Sequence, residues 1–295
     1  MNVFGSEEEI TSPPVRLDTK VSDELENRSR SYANKLIKLG NVKVNGHVVV
    51  KPSYMVSDND NLEITDLAEP SDMPTYNPGI IYEDDSCIVI DKPIGMLTHS
   101  KGAFYPEQTI ASFIKPKISD RFTDTNRGGI VHRLDRATSG VILCAKTPEA
   151  EKWYKAQFAD RKVKKTYIAV VSGSLEHNKA VIDLPIERNP KKPQFFRVGP
   201  HGKPSMTEYE VINETQIKSK TYSTIKLTPT TGRTHQLRVH LAELGNPILG
   251  DTFYEGSKHE RLMLHASELE ISSYISHEKQ KYSAKLPDAF GVYVC

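Results

Sequence analysis

Gly128-Gly129-Ile130-Val131-His132-Arg133-Leu134-Asp135-Arg136-Ala137-Thr138-Ser139-Gly140-Val141-Ile142-Leu143-Cys144-Ala145-Lys146-Thr147 is the stretch on which the reading of this chain turns. Two apolar runs, Ile130-Val131 and Val141 to Ala145, bracket a polar turn, so the local pattern is strand, tight loop, strand. Gly140 and the Thr138-Ser139 pair carry turn chemistry. Asp135 stands at the mouth of that turn between Arg133 and Arg136, which suits an outward carboxylate serving as nucleophile or base. The bland alternative is a surface aspartate that pairs with its neighbours and closes the turn.

Working outward, five further segments hold chemistry-bearing residues. Upstream is Asp91-Lys92-Pro93-Ile94-Gly95-Met96-Leu97-Thr98-His99, where His99 has no Glu or Cys at metal-ligand spacing. Downstream, a basic cluster from Arg161 to Lys165 runs into a β-rich stretch entered by Tyr167, whose flat ring suits packing on a pleat or stacking on a base. Next comes Thr230-Thr231-Gly232-Arg233-Thr234-His235-Gln236-Leu237-Arg238-Val239-His240-Leu241, in which the leucine spacing predicts a helix started by the Thr-Thr-Gly turn. Last are Leu262-Met263-Leu264-His265-Ala266 and Leu286-Pro287-Asp288-Ala289-Phe290.

Together these segments resemble the RluA family of RNA pseudouridine synthases. His132-Arg133-Leu134-Asp135, the Thr138-Ser139-Gly140 turn and Ala145-Lys146-Thr147 stand in the family's register, with the KPxGxxxH segment before them and segments like KxYxAxV, TGRTHQIRVH and LHA after them. The closing segment departs slightly from the family's P-x-D-F. The resemblance spans residues 78–292 and implies an α+β fold: the pseudouridine-synthase fold, a mixed, mainly antiparallel sheet with flanking helices. It implies Asp135 as the catalytic residue, Tyr167 as the active-site tyrosine and Arg238 as the cation that pins the catalytic carboxylate. Arg133, His132, Leu264, Arg233 and His235 are implied to meet the substrate. Arg133 is the candidate to fill the gap left by an extruded base, the alternative being a buried ion pair beneath the turn.

Chain length and composition fit this picture. At 295 residues there is room for two domains, and 37% hydrophobic with 26% charged residues is the balance of a globular protein. A net charge of +1 neither demands nor excludes a polyanionic partner, so the distribution of charge must decide. Cys87, Cys144 and Cys295 form no metal pattern or disulfide framework, which suits a reducing compartment, and no run approaches a membrane span. A cytoplasmic, monomeric enzyme without metal or cofactor is expected.

Residues 1–13 read as a disordered leader. Leu17, Val21 and Leu25 then space one short helix with Asp18 as its cap, and Ala33, Leu36 and Ile37 a second, capped by Ser29 or Ser31 and ended by Gly40. Asn45-Gly46 between apolar runs is a hairpin signal. From position 28 to 51 the basic residues Arg28, Arg30, Lys35, Lys38, Lys43 and Lys51 meet no acidic residue, a face suited to a phosphate backbone or simply to water. The order of these features resembles an S4 RNA-binding domain over residues 14–70; Asp58 to Pro78, acidic and carrying Pro70, Pro74 and Pro78, reads as the interdomain stretch, with the linker set at 71–79 and the catalytic domain at 80–295. Residues 184–206, rich in Pro, Lys and Arg, read as an exposed loop.

The function implied is isomerisation of specific uridines to pseudouridine in structured RNA. An S4 domain ahead of the catalytic one points to large-subunit ribosomal RNA, with tRNA as the alternative substrate. Asp135 would attack ribose C1′ or uracil C6, and the residues do not choose between them. The readings from other classes are a noncatalytic RNA-binding or ribosome assembly factor, and a glycoside hydrolase, which ordinarily needs a second carboxylate.

Overall fold

The computed structural model describes residues 13–25, 29–65, 75–100, 107–122 and 127–294. The expected leader and Arg28 lie outside these residues. The described residues form two compact units: the first takes those up to position 65 together with Ser100 and Glu107, the second those of 75–99 and from 108 onward.

In the first unit, β1 (Val15–Arg16) leads into α1 (Leu17–Glu24), followed by α2 (Arg30–Lys38), β2 (Val42–Val44), β3 (His47–Val48), β4 (Met55–Val56) and β5 (Leu62–Ile64). The apolar stripes read from the sequence form its core: Leu17 and Val21 of α1 pack with Ala33, Leu36 and Ile37 of α2 and Val42 and Val44 of β2. The Ser29 hydroxyl accepts from the Tyr32 amide and starts α2. Asn45 and Gly46, both at positive φ, turn β2 into β3 with Val44 opposite His47.

Two expectations here need correction. Asp18 lies inside the first turn of α1, which is entered through Arg16, and its buried carboxylate takes Arg16, Arg30 and Asn34 side chains. The Arg16 hydrogen bond foremost, with Arg30 added, holds that carboxyl well below the usual carboxylate range. The basic face is also less one-sided than the run from position 28 to 51 implies. Arg30 pairs with Asp18 at 3.0 Å and Lys43 with Glu63 at 3.0 Å, and both acids come from outside that run.

The second unit is built on a nine-stranded sheet. Its strands are β6 (Gly79–Glu83), β7 (Cys87–Lys92), β8 (Ser139–Ala145), β9 (Lys164–Ser172), β10 (Lys179–Asp183), β13 (Met206–Ile217), β14 (Lys220–Pro229), β15 (Leu264–Ser272) and β16 (Lys279–Ser283). A separate hairpin, β11 (Ile186–Arg188) with β12 (Phe196–Val198), lies within the segment expected as a structureless loop. The order is β10-β13-β14-β9-β15-β8-β7-β6, with β16 on β15. All pairs are antiparallel except β15 with β8. The helices are α3 (Ile110–Ile114), α4 (Pro148–Ala159), α5 (Gln236–Glu243) and α6 (Gly291–Val294).

Alternation along the central strands separates two cores. Cys87, Val89, Val141 and Leu143 join Ala150 and Tyr154 of α4 on one face. Ile88, Ile90, Ile142 and Cys144 join Met96, Ile110, Ile114 and Leu134 on the other. Burial lifts the Cys87 thiol to about 11 and raises Cys144 as well, so both behave as packing residues.

One ladder row positions the site. Lys92 lies opposite Gly140, Gly140 opposite Ala266, Ala266 opposite Tyr167, and Tyr167 opposite Leu227. Residues directly opposite share a face, so Lys92 and Tyr167 emerge on the side where Leu134 packs. Gly140 is therefore not a turn residue but a strand residue at φ +112, and a Cβ there would stand on the Ala266 carbonyl.

Candidate active site

Residues 131–138 cross from the sheet edge into β8 without regular structure, and each part of the crossing is held. The Gly129 carbonyl accepts from the Ala145 amide at 2.7 Å, and the His132 Nε2 accepts from the Leu143 amide at 3.0 Å, satisfying the open edge of β8. The His132 ring stacks on Phe158 at 4.6 Å, and burial pushes its pKa down to about 3, so it serves this bond as a neutral base. His132 thus lines the cleft as a structural strut.

The two neighbours of Asp135 are clamped from the 92–98 segment. Thr98 Oγ1 donates to the Leu134 carbonyl at 2.8 Å and accepts from the Leu134 amide at 3.2 Å. On the other side, the Gly95 amide donates to the Arg136 carbonyl at 2.8 Å. The fully buried Lys92 Nζ donates to the carbonyls of Pro93 and Met96 at 2.9 Å and of Arg136 at 3.4 Å. Burial brings the Lys92 pKa down to about 7, with the Asp135 charge opposing that fall. The Thr138 amide closes the turn onto the Asp135 carbonyl at 3.0 Å.

The carboxylate so held is 20% exposed and makes no hydrogen bond to the protein among the described residues. The sequence reading placed it between two flanking arginines. Arg133 and Arg136 are exposed instead, and the group beside the Asp135 carboxylate is the His235 imidazole, its Nε2 3.9 Å from Oδ2. Asp135 opens into a cleft of about 430 Å³ shared with Arg133, Lys165, Tyr167, Arg233, His235 and Arg238. The Tyr167 phenol is held in its neutral form, first by burial and then by the charge of Asp135.

Arg238 does not pin Asp135. Its Nε and Nη2 make a bidentate pair with Asp251, at 2.7 and 2.6 Å, and both side chains are buried. Burial lowers the Arg238 pKa, but the Asp251 bond and charge outweigh it and leave the guanidinium above its ordinary value. Its plane also lies over the rings of Phe253, at 5.4 Å, and Tyr254, at 5.1 Å. The helix carrying Arg238 starts at Gln236, later than the Thr-Thr-Gly turn suggested. His235 precedes it in the left-handed conformation at φ +57, and Gln236 is spent bracing the loop on Thr231, Arg233 and Met206.

Leu264 does not line the cleft; it is buried in the core against which Ala137 and Tyr167 pack. Arg233 borders the cleft and donates from Nε to the Pro204 carbonyl at 3.3 Å. Arg133 is exposed and unpaired among the described residues, which removes the buried ion pair as its alternative role.

Sequence reading missed Lys165, Lys92, Thr98, Asp251 and Tyr254. Lys165 was legible, since it lies two residues before Tyr167 and so shares its face; its Nζ donates to the Thr231 carbonyl at 2.9 Å, and burial lowers its pKa to about 8. The others act through partners distant in sequence.

Comparisons with known proteins agree with this architecture. The RNA pseudouridylate synthase family matches residues 86–243 and the S4 domain matches residues 15–62. An uncharacterized RNA pseudouridine synthase of Aquifex aeolicus is 38% identical over 81% of this chain and 76% of its own length. Ribosomal large subunit pseudouridine synthase D of Borreliella burgdorferi is 36% identical over 95% of this chain and 89% of its own. The protein of that name from Escherichia coli K12 is 33% identical over 92% and 87%. Among solved structures, human RNA pseudouridylate synthase domain containing 1 superposes with a TM-score of 0.61 at 27% identity, covering 74% of this chain and 88% of that one.

Proposed function

The chain belongs to the RNA pseudouridylate synthase family, and from that premise we propose that it isomerises uridines of large-subunit ribosomal RNA with Asp135 as the reacting carboxylate. The observation that carries the assignment is the state of Asp135: clamped through both neighbouring residues, free of protein hydrogen bonds among the described residues, and facing a cleft beside Tyr167. A carboxylate so held is available to bond ribose C1′ as the uracil leaves, or to add to uracil C6 and so release the glycosidic bond. On either route the uracil turns, C5 bonds C1′ while the bond to Asp135 breaks, and C5 gives up its proton to a base. The neutral Tyr167 ring offers a face or a phenolic proton to the uracil. Asp135 is the only carboxylate among the described residues lining the cleft, which speaks against two-carboxylate glycoside hydrolysis.

The S4 domain and the names of the relatives support ribosomal RNA as substrate. Unmodified large-subunit ribosomal RNA and tRNA transcripts, incubated with the protein and mapped for pseudouridine by carbodiimide labelling and primer extension, test this. New sites are expected in the ribosomal RNA; sites confined to tRNA would refute the substrate. The buried free thiols Cys87 and Cys144 support a cytoplasmic setting.

Two features make separate predictions. Lys38 and Lys51 are cations of the S4 unit left to a phosphate backbone once Arg30 and Lys43 are paired within it. Substituting Lys38 and Lys51 by Ala is expected to flatten the slope of log affinity against log salt by about one for each phosphate that is no longer neutralised. Filter binding over a salt series measures this, and an unchanged slope would mark a merely solvated face. Arg133, exposed at the cleft mouth, is expected to act where a base leaves its stack, a step that costs a few kcal/mol. Arg133→Ala should therefore slow single-turnover reaction on a stem-loop far more than on an unstructured strand, with the melting temperature unchanged; equal losses on both would refute the wedge.

A further inference from the structure

The turn that holds Asp251 and Tyr254 reaches the site by a second route. Tyr254 Oη lies 2.8 Å from His235 Nδ1, and the Phe196 amide donates to the same oxygen at 3.1 Å. The phenol has one proton to give, the Phe196 amide can only donate to it, and among the described residues the acceptor left for that proton is Nδ1. Burial lowers the His235 pKa below its ordinary value, opposed by the charges of Asp135 and Asp251 and aided by those of Arg238 and Arg133, which favours the neutral imidazole. A neutral imidazole that accepts at Nδ1 carries its hydrogen at Nε2. That nitrogen is the one 3.9 Å from Asp135 Oδ2.

We propose that Tyr254 is a positioning residue that, by donating to His235 Nδ1, turns the Nε2–H of His235 toward the Asp135 carboxylate. The proposal rests on the reading of Asp135 as the reacting group. The opposite tautomer would set a nitrogen lone pair against a carboxylate, repelling it from the place where it must meet the substrate. Every part of the device is fixed. His235 is locked at φ +57, the Tyr254 ring lies under the Arg238 guanidinium, and that guanidinium is held by Asp251. The Phe196 amide comes from β12, and the Phe196 ring also packs edge-on against His235 at 5.7 Å, so the β11–β12 hairpin is part of the same support.

The tautomer is measured directly by the ¹⁵N shifts of His235 in the full-length protein at near-neutral pH. An Nε2–H imidazole is expected in the wild type and in Asp135→Asn, and a mixture in Tyr254→Phe. In single-turnover kinetics Tyr254→Phe should lower kcat roughly tenfold, the scale of one lost hydrogen bond, with the KM for RNA unchanged. His235→Ala alone and combined with Tyr254→Phe should be equally slow, because both act through one imidazole. An Nδ1–H tautomer in the wild type, full activity of Tyr254→Phe, or additive losses would overturn the proposal. Should Tyr254→Phe fail to fold, the wild-type tautomer still decides. Pseudouridine formed by Asp135→Asn would instead overturn the catalytic reading and leave the tautomer result standing.

Discussion

Asp135→Asn is expected to abolish pseudouridine formation, by several orders of magnitude in single turnover, while leaving RNA affinity and fold intact. An amide keeps the shape of the carboxylate and loses the electron pair that must form a bond. The structure explains why the variant should be a clean one. The Asp135 side chain makes no hydrogen bond to the protein among the described residues, and the loop is held by the backbones of Leu134 and Arg136. Little native structure depends on the charge itself, so the melting temperature should scarcely move. Removing a negative charge from a cleft bordered by Arg133, Lys165 and Arg233 leaves RNA binding equal or slightly tighter. Rate, melting temperature and filter-binding affinity together check this. Residual activity near the wild-type rate, or a collapse of the fold, would contradict it.

The second large effect is on stability. Asp251→Ala is expected to cost about 3–5 kcal/mol, because it strands the buried Arg238 guanidinium without its bidentate partner. The loss should extend to catalysis. Asp251 also accepts from the Phe253 amide at 3.2 Å and so shapes the turn that presents Tyr254 to His235. The double variant Asp251→Ala/Arg238→Met removes the stranded charge and should regain part of the stability, but not the activity. Denaturant unfolding and single-turnover rates distinguish the two. A cost for Asp251→Ala below about 1 kcal/mol would mean that water reaches the guanidinium and that the pair behaves as a surface one.

Legibility in the sequence followed the range of the interactions. The helix pair and the Asn45-Gly46 hairpin could be read because stripes and turn residues are properties of neighbours in the chain. Asp135 and Tyr167 could be read from their local motifs, and the structure sets them in one cleft. Arg238 was assigned to the wrong carboxylate. From the sequence its partner was open to choice, and Asp251 is fixed only by the turn that follows α5. Gly140 was read as a turn glycine, since nothing local shows that Ala266 will come to lie against it. Asp18 was read as a cap because Arg30, on α2, becomes its neighbour only when α1 and α2 pack.

The ladder row from Lys92 through Gly140 and Ala266 to Tyr167 bears on how the enzyme comes into being. Its central junction joins β8 to β15, where Ser139 meets His265 across 126 residues of chain. Loop-closure entropy must be met before such a junction returns any contact energy, so it belongs among the slow, late events of folding. The clamp on Asp135 lies on one side of that junction and Tyr167 on the other. Until Ala266 is made, the strand that joins the Asp135 clamp to Tyr167 does not exist, so the two parts of the site can be brought into register only by a segment that lies more than a hundred residues beyond Asp135.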